Sequence, residues 1–272
     1  MLVSNPVVIN FSGDWVSAIT NILLLLVTSI SVYYAFKAYN HQKERSKKDA
    51  ACKLAAHYAK SIIKKCTNIS TVLDEAGINN EIKEIFAIRD LEMFDRDELD
   101  RLLSDKSISL IDLAKKYLDI DPKLLLNAKI SKASSVVERE LVHRVFTSKD
   151  KDGTEKVINT KLLHDDFVQD IMELLNELEW FAMNCNYNLA DEEILYQSLH
   201  QTYLSTVWML YFFISSTNET NEDKTYTNLI WLFVEWRNRL VNITDSTEAE
   251  KQEYIRKANA VKASVYQGTR LK

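Results

Sequence analysis

Only 4 glycines and 2 prolines occur in the 272 residues of this chain. Sheet-rich folds need many more turn residues, so this scarcity excludes a sandwich or barrel and predicts an all-α protein. The three cysteines, Cys52, Cys66 and Cys185, show no CxxC spacing. That excludes a zinc knuckle and a disulfide framework. Lysine and arginine are missing from the first 36 residues. A cleaved secretory leader needs a positive start and a small-residue cleavage site. This chain has neither, and its first apolar segment ends in Tyr33, Tyr34 and Phe36.

What is present begins with that segment. Residues 15–36 carry no charge. A helix of about 20 apolar residues crosses a bilayer core, so the segment is long enough to span. Asp14 stands on one side, and Lys37, Lys43, Arg45, Lys47, Lys48 and Lys53 follow on the other. Basic flanks stay in the cytoplasm. The expected topology is therefore single-pass, with the N-terminus outside and the rest of the chain cytoplasmic, and the expected location is a bacterial inner membrane. Leu23 to Val27 leave no polar face, which disfavours a surface helix. Trp15 and Tyr33, Tyr34 and Tyr39 suit the two interfacial belts. Asn21 is the costly residue of the span, and it sits either near the outer headgroups or in a contact between copies.

Charge is divided along the chain. Residues 37–65 hold nine basic and two acidic side chains, a net +7, and residues 66–272 carry −11. The basic segment suits anionic lipid headgroups, at about 1 kcal/mol per residue near the surface. The acidic body argues against nucleic acid as a partner.

The pattern divides the chain into a short extracytosolic tail (1–14), the span (15–36), a basic helical stalk (37–76), a cytosolic helical domain (77–266) and a tail (267–272). In the stalk, Ala51, Ala55, Tyr58, Ile62, Ile69 and Leu73 form one stripe with Cys66 near it, suited to docking on the body or to pairing with a second copy. Gly77 ends that helix. A second stripe covers 79–94. Asp95 with Glu98 marks a helix start. A short helix is expected over 107–118, and Asp121-Pro122 opens one predicted to run to 146. Residues 147–159 form a loop whose Asp152-Gly153 suits a small hairpin. Helices are expected over 160–186, from Asp191 to about 215, over 222–242, and from Thr247 to about 266. Residues 203–214 are the most apolar run of the body, a central core helix or, in the minority reading, a second span.

No catalytic set emerges. Glu140-x-x-His143 has half of a di-iron spacing but lacks its second half. Arg139 and His143 approach the Arg-x(4–6)-His signature of HEPN-type helical ribonucleases, with a gap of three residues. His164-Asp165-Asp166 is equally well a helix-start turn. The apolar helices enclose a polar set, Glu179, His200, Glu235 and Arg237, expected either as an internal ion-pair network or as the lining of a ligand pocket. No cofactor or metal is expected.

The run at residues 174–182, the Ala190-Asp191-Glu192-Glu193-Ile194-Leu195-Tyr196 segment, Tyr226-Thr227-Asn228-Leu229-Ile230 and Trp236-Arg237 resemble a bacterial family of domains of unknown function. The resemblance covers most of residues 15–242. It implies one N-terminal span, a basic stalk and a helical cytosolic body, and it brings no catalytic residues. Similar small membrane-anchored proteins act as effectors of anti-phage systems, retron-associated ones among them. The resemblance therefore implies an abortive-infection effector with a protein partner and self-association. A HEPN-like ribonuclease and a purely structural anchor for a partner are the alternatives.

Overall fold

A computed structural model describes residues 11–218 and 224–245, with side chains over 19–218 and 224–241. The expected helix at 247–266 and the tail at 267–272 lie outside the described residues, as do residues 1–10 and the Trp15 side chain. The described residues form two compact units, divided between Asp49 and Ala50.

The described residues of the first unit form one helix. Helix α1 (Phe11–His57) begins inside the expected 1–14 tail and continues past the span without a break. Every residue from 19 to 46 is exposed. Among the described residues, this is the one helix long and apolar enough to cross a membrane.

The second unit is an α-helical bundle with one small hairpin. The C-terminal end of α1, a π-helical turn (Tyr58–Ile62) and α2 (Ile63–Glu75) supply its first wall. Ala51, Leu54, Tyr58, Ile62, Ile69 and Leu73 are buried, so half of the expected stalk belongs to the body's core. The π turn has a sequence cause. Leu54, Tyr58, Ile62 and Cys66 recur every four residues. Three regular turns use about 11 residues rather than 12, and a π turn absorbs the extra one without rotating the stripe off the core. Gly77, at φ 77°, ends α2 in the left-handed region.

Helix α3 (Ile78–Ile85) is shorter than the 79–94 stripe predicts. Beyond Phe86 the backbone extends, with a single 3-10 turn at Ile88–Asp90. Leu91 and Phe94 are buried from this irregular segment, not from a helix. Helices α4 (Arg96–Asp105), α5 (Leu110–Leu118) and α6 (Pro122–Lys132) begin at Asp95, Ser109 and Asp121, whose side chains accept a first-turn N–H. The helix expected to run to 146 breaks at Ala133. Ser135 caps a new helix, α7 (Val136–Phe146), and Glu138 reaches back to the Ser134 N–H at 2.8 Å. This is a reciprocal capping pattern. The hairpin forms: β1 (Thr147–Lys149) pairs antiparallel with β2 (Glu155–Val157) across Gly153, with Ser148 opposite Lys156.

Helix α8 (Thr160–Asn186) is the central element. Its Leu174, Leu175, Leu178 and Phe181 are fully buried. Helices α9 (Glu192–Met209), α10 (Tyr211–Thr217) and α11 (Thr227–Asp245) complete the bundle. Leu210 separates α9 from α10 where one helix to 215 is predicted. The run 203–214 is core: Tyr203, Val207, Leu210, Tyr211 and Ile214 are inaccessible. Aromatic rings knit the walls together. Trp236 meets Tyr203 at 5.1 Å, Tyr196 at 5.5 Å and Phe181 at 6.2 Å, and Tyr58 meets Phe181 at 5.0 Å. Each edge-to-face pair adds about 0.5–1.5 kcal/mol beyond area burial.

Candidate functional site

The four polar residues expected in one cluster are distributed over separate tasks. Glu179, on α8, accepts the Asn228 N–H at 3.2 Å, the Asn228 amide at 2.7 Å and the Leu229 N–H at 2.8 Å. It thus caps the start of α11 from a neighbouring helix, satisfying N–H groups that have no partner within their own helix. Arg237 is buried on α11 and donates to the carbonyls of Leu91 and Arg89, pinning the irregular 86–95 segment. His200 stacks on Tyr196 with centroids 4.6 Å apart, and its Nδ1 meets the Tyr196 carbonyl at 2.8 Å. Glu235 is exposed.

Near Tyr196 lies a polar box that sequence reasoning missed. Trp236 donates to Glu192 at 2.6 Å, and Arg239 pairs with Glu193 and stands over the Tyr196 ring at 3.8 Å. Burial pushes the Glu192 carboxyl above its ordinary range, and the Trp236 bond and Arg239 only partly oppose this. Burial, with Glu192 and Glu235 nearby, pushes the Cys185 thiol up to about 12, so it is inert as a nucleophile at neutral pH.

A second buried centre organises residues 92–98. Glu98 accepts the N–H groups of Glu92, Met93 and Phe94 at 2.8, 3.0 and 2.9 Å, and the Tyr211 hydroxyl at 2.9 Å. Asn218 donates to the Phe94 carbonyl at 2.9 Å. Together they hold Phe94 at φ 52°, in the left-handed region that bulky residues avoid.

A groove of about 570 Å³ with a charged lining lies at the π turn. Its lip is the helix edge carrying His57, Lys60, Lys64 and Asn68, and Lys132 faces it with Asp170 and Glu173. Lys132 pairs with Asp170, and Lys65 pairs with Glu173 at 2.9 Å and Glu177 at 3.1 Å. Ser61 also donates to Glu177, at 3.0 Å. Partial burial pulls the Lys65 ammonium down, and its bonds to Glu173 and Glu177 more than reverse this, leaving its pKa raised. Lys60 and Lys64 are exposed and meet no acidic partner among the described residues.

The residues weighed for chemistry stay apart. His143 meets Glu155 at 3.2 Å on an exposed helix face, and Asp166 pairs with Lys129. Among the described residues no group of three His, Cys, Asp or Glu side chains is placed to hold a metal ion. Of the basic flank, Lys37, Lys43, Arg45 and Lys53 are exposed, whereas Lys47 and Lys48 are half-buried. Comparisons with protein-family profiles, with curated protein sequences and with solved structures give no match. The functional reading therefore rests on the chain's own residues.

Proposed function

We propose that this is a single-pass protein of the bacterial inner membrane, with its N-terminus outside. Its cytosolic helical body binds a protein partner or an infection signal. The span answers by associating with other copies.

The observation that supports this reading is the state of α1. The hydroxyls of Thr28, Ser29 and Ser31 donate to their own helix at Leu24, Leu25 and Val27, at 2.7, 2.8 and 2.8 Å. Among the described residues Asn21 has no such bond, and every residue from 19 to 46 is exposed. Asn21, Leu24, Thr28, Ser31, Ala35 and Ala38 follow one another at steps of three and four. They therefore share a face that is smaller and more polar than the rest of the span. In hydrocarbon, small residues permit close approach, and an amide finds its partner on another helix. The basic flank, Lys37, Lys43 and Arg45 among it, would rest against anionic headgroups.

Cysteine cross-linking in native membranes tests the association. A Cys52→Ser/Cys66→Ser/Cys185→Ser background carrying Asn21→Cys should give a dimer band that Leu26→Cys, on another face, does not. Equal or absent bands at both positions would remove this reading. The anti-phage effector version, which rests on the family resemblance, predicts membrane depolarisation on induction; unchanged dye signal and viability would count against it. Intact cellular RNA after induction would dispose of the ribonuclease alternative.

A further inference from the structure

We infer that the groove at the π turn is a binding site for a small phosphate-bearing ligand. The groove, at about 570 Å³, lies within the size range of small-molecule sites. Its acids are already committed. Asp170 is held by Lys132, and Glu173 and Glu177 are held by Lys65. What remains on the lip is chiefly donors, His57 among them also meeting Glu177 at 4.0 Å. His57, Lys60, Lys64 and Asn68 follow at steps of three and four, so their side chains share one edge.

Lys60 and Lys64 form an (i, i+4) like-charge pair, which destabilises a helix when nothing offsets it. An anion between them removes that cost and gains charge-assisted bonds. The π turn begins at Tyr58, immediately after His57, and carries Lys60 and Ser61 on its own residues. Such turns recur at functional sites because they re-aim side chains that a regular helix would place elsewhere. Beside His57, the Trp180 ring stands edge-on at 5.4 Å and is 45% exposed, an apolar surface next to the cations.

Size selection follows from the surroundings. Residues 66–272 carry a net −11, so a long polyanion reaching beyond the groove would be repelled. A compact phosphate-bearing molecule would not. The inference deepens the sensing reading by naming the signal's chemistry, but binding and association are read by different assays.

The test uses the full chain in nanodiscs of neutral lipid, titrated with pyrophosphate by calorimetry. Saturable binding is expected, weakened at least tenfold in Lys60→Gln/Lys64→Gln and unchanged in Lys106→Gln/Lys151→Gln. Lys60 and Lys64 line the groove, Lys106 and Lys151 lie off it, and all four are exposed, so folding is not at stake. No saturable binding, or equal loss in both pairs, would overturn the site. Nanodiscs with phosphatidylglycerol separate two sources of phosphate. Competition with pyrophosphate would support the site with a lipid headgroup as its ligand, and indifference would support a soluble one. Binding without cross-linking through Asn21→Cys would sink the association reading alone; cross-linking without binding would sink the groove alone.

Discussion

Replacing Glu98 by Ala should be among the most damaging single changes in the body. The carboxylate is 4% exposed and takes four hydrogen bonds, two on each oxygen. The N–H groups of Glu92 and Met93 lie near solvent and can be rehydrated. Those of Phe94 and the Tyr211 hydroxyl belong to buried residues. A buried donor left without an acceptor costs about 1–3 kcal/mol, so these two alone lose about 2–6 kcal/mol. The strained Phe94 backbone, worth about 1–3 kcal/mol, would lose its restraint and relax, which returns part of that loss. We expect a net destabilisation of about 2–4 kcal/mol. Tyr211→Phe removes one bond to a charged acceptor and should cost about 1.5–3 kcal/mol. Because both act on one network, the double variant should cost less than the sum. Urea unfolding of the detergent-solubilised protein, followed by tryptophan fluorescence, measures all three. A Glu98→Ala cost below about 1 kcal/mol, or full additivity, would refute the reasoning.

Two further predictions follow from the same principles. The Glu192 carboxyl is raised in the folded state by burial above the ordinary value of 4.5, so the native protein binds the extra proton. Its favourable contribution is complete below the unfolded pKa and is lost as pH rises through the folded one. Glu192→Gln should therefore gain stability relative to the parent between pH 5 and pH 8, with the gap closing on acidification toward about pH 4; denaturation midpoints across that range check it, and a gap widening toward low pH would contradict it. Within the span, Asn21→Val should weaken association by about 0.6–2 kcal/mol, roughly 3- to 30-fold, in fluorescence energy transfer between labelled copies in liposomes; unchanged transfer would argue that this amide faces headgroups.

Local chemistry made much of the body legible in advance. Asp95, Asp121 and Asp191 begin helices because each side chain accepts an N–H of the first turn, and α8 runs over its predicted residues because its buried positions keep one helical face. The break between α6 and α7 carried its own sign, Ser135 with Glu138, which the apolar pattern from 122 to 146 masked. The π turn was not legible: the three steps of four from Leu54 to Cys66 account for it once the fold is known, but the stripe reads equally well as regular helix. The tertiary roles of the acids were not legible. Glu98 looks like the third residue of a capping pair, yet its side chain turns back to gather residues 92–94. Glu179 and Arg237 sit among apolar neighbours like partners, but each serves backbone groups brought near only by folding. Charges satisfied mainly by peptide groups leave little pairing in the sequence to find, and the ionic contact of Arg237, to Glu92 at 3.9 Å, lies far along the chain. The groove was hidden for the converse reason: its lysines stand among those of the basic flank, and only the pairing of Lys65 and Lys132 separates them from Lys60 and Lys64.

The claim on which the rest depends is that residues 15–36 cross a lipid bilayer with the body on the cytoplasmic side. Alkaline carbonate extraction of bacterial membranes, with a phosphatase reporter fused after Lys272, tests it directly. The protein should stay in the membrane pellet with the reporter silent, and a chain lacking residues 1–46 should move to the supernatant. Full-length protein released by carbonate, or an active periplasmic reporter, would contradict it.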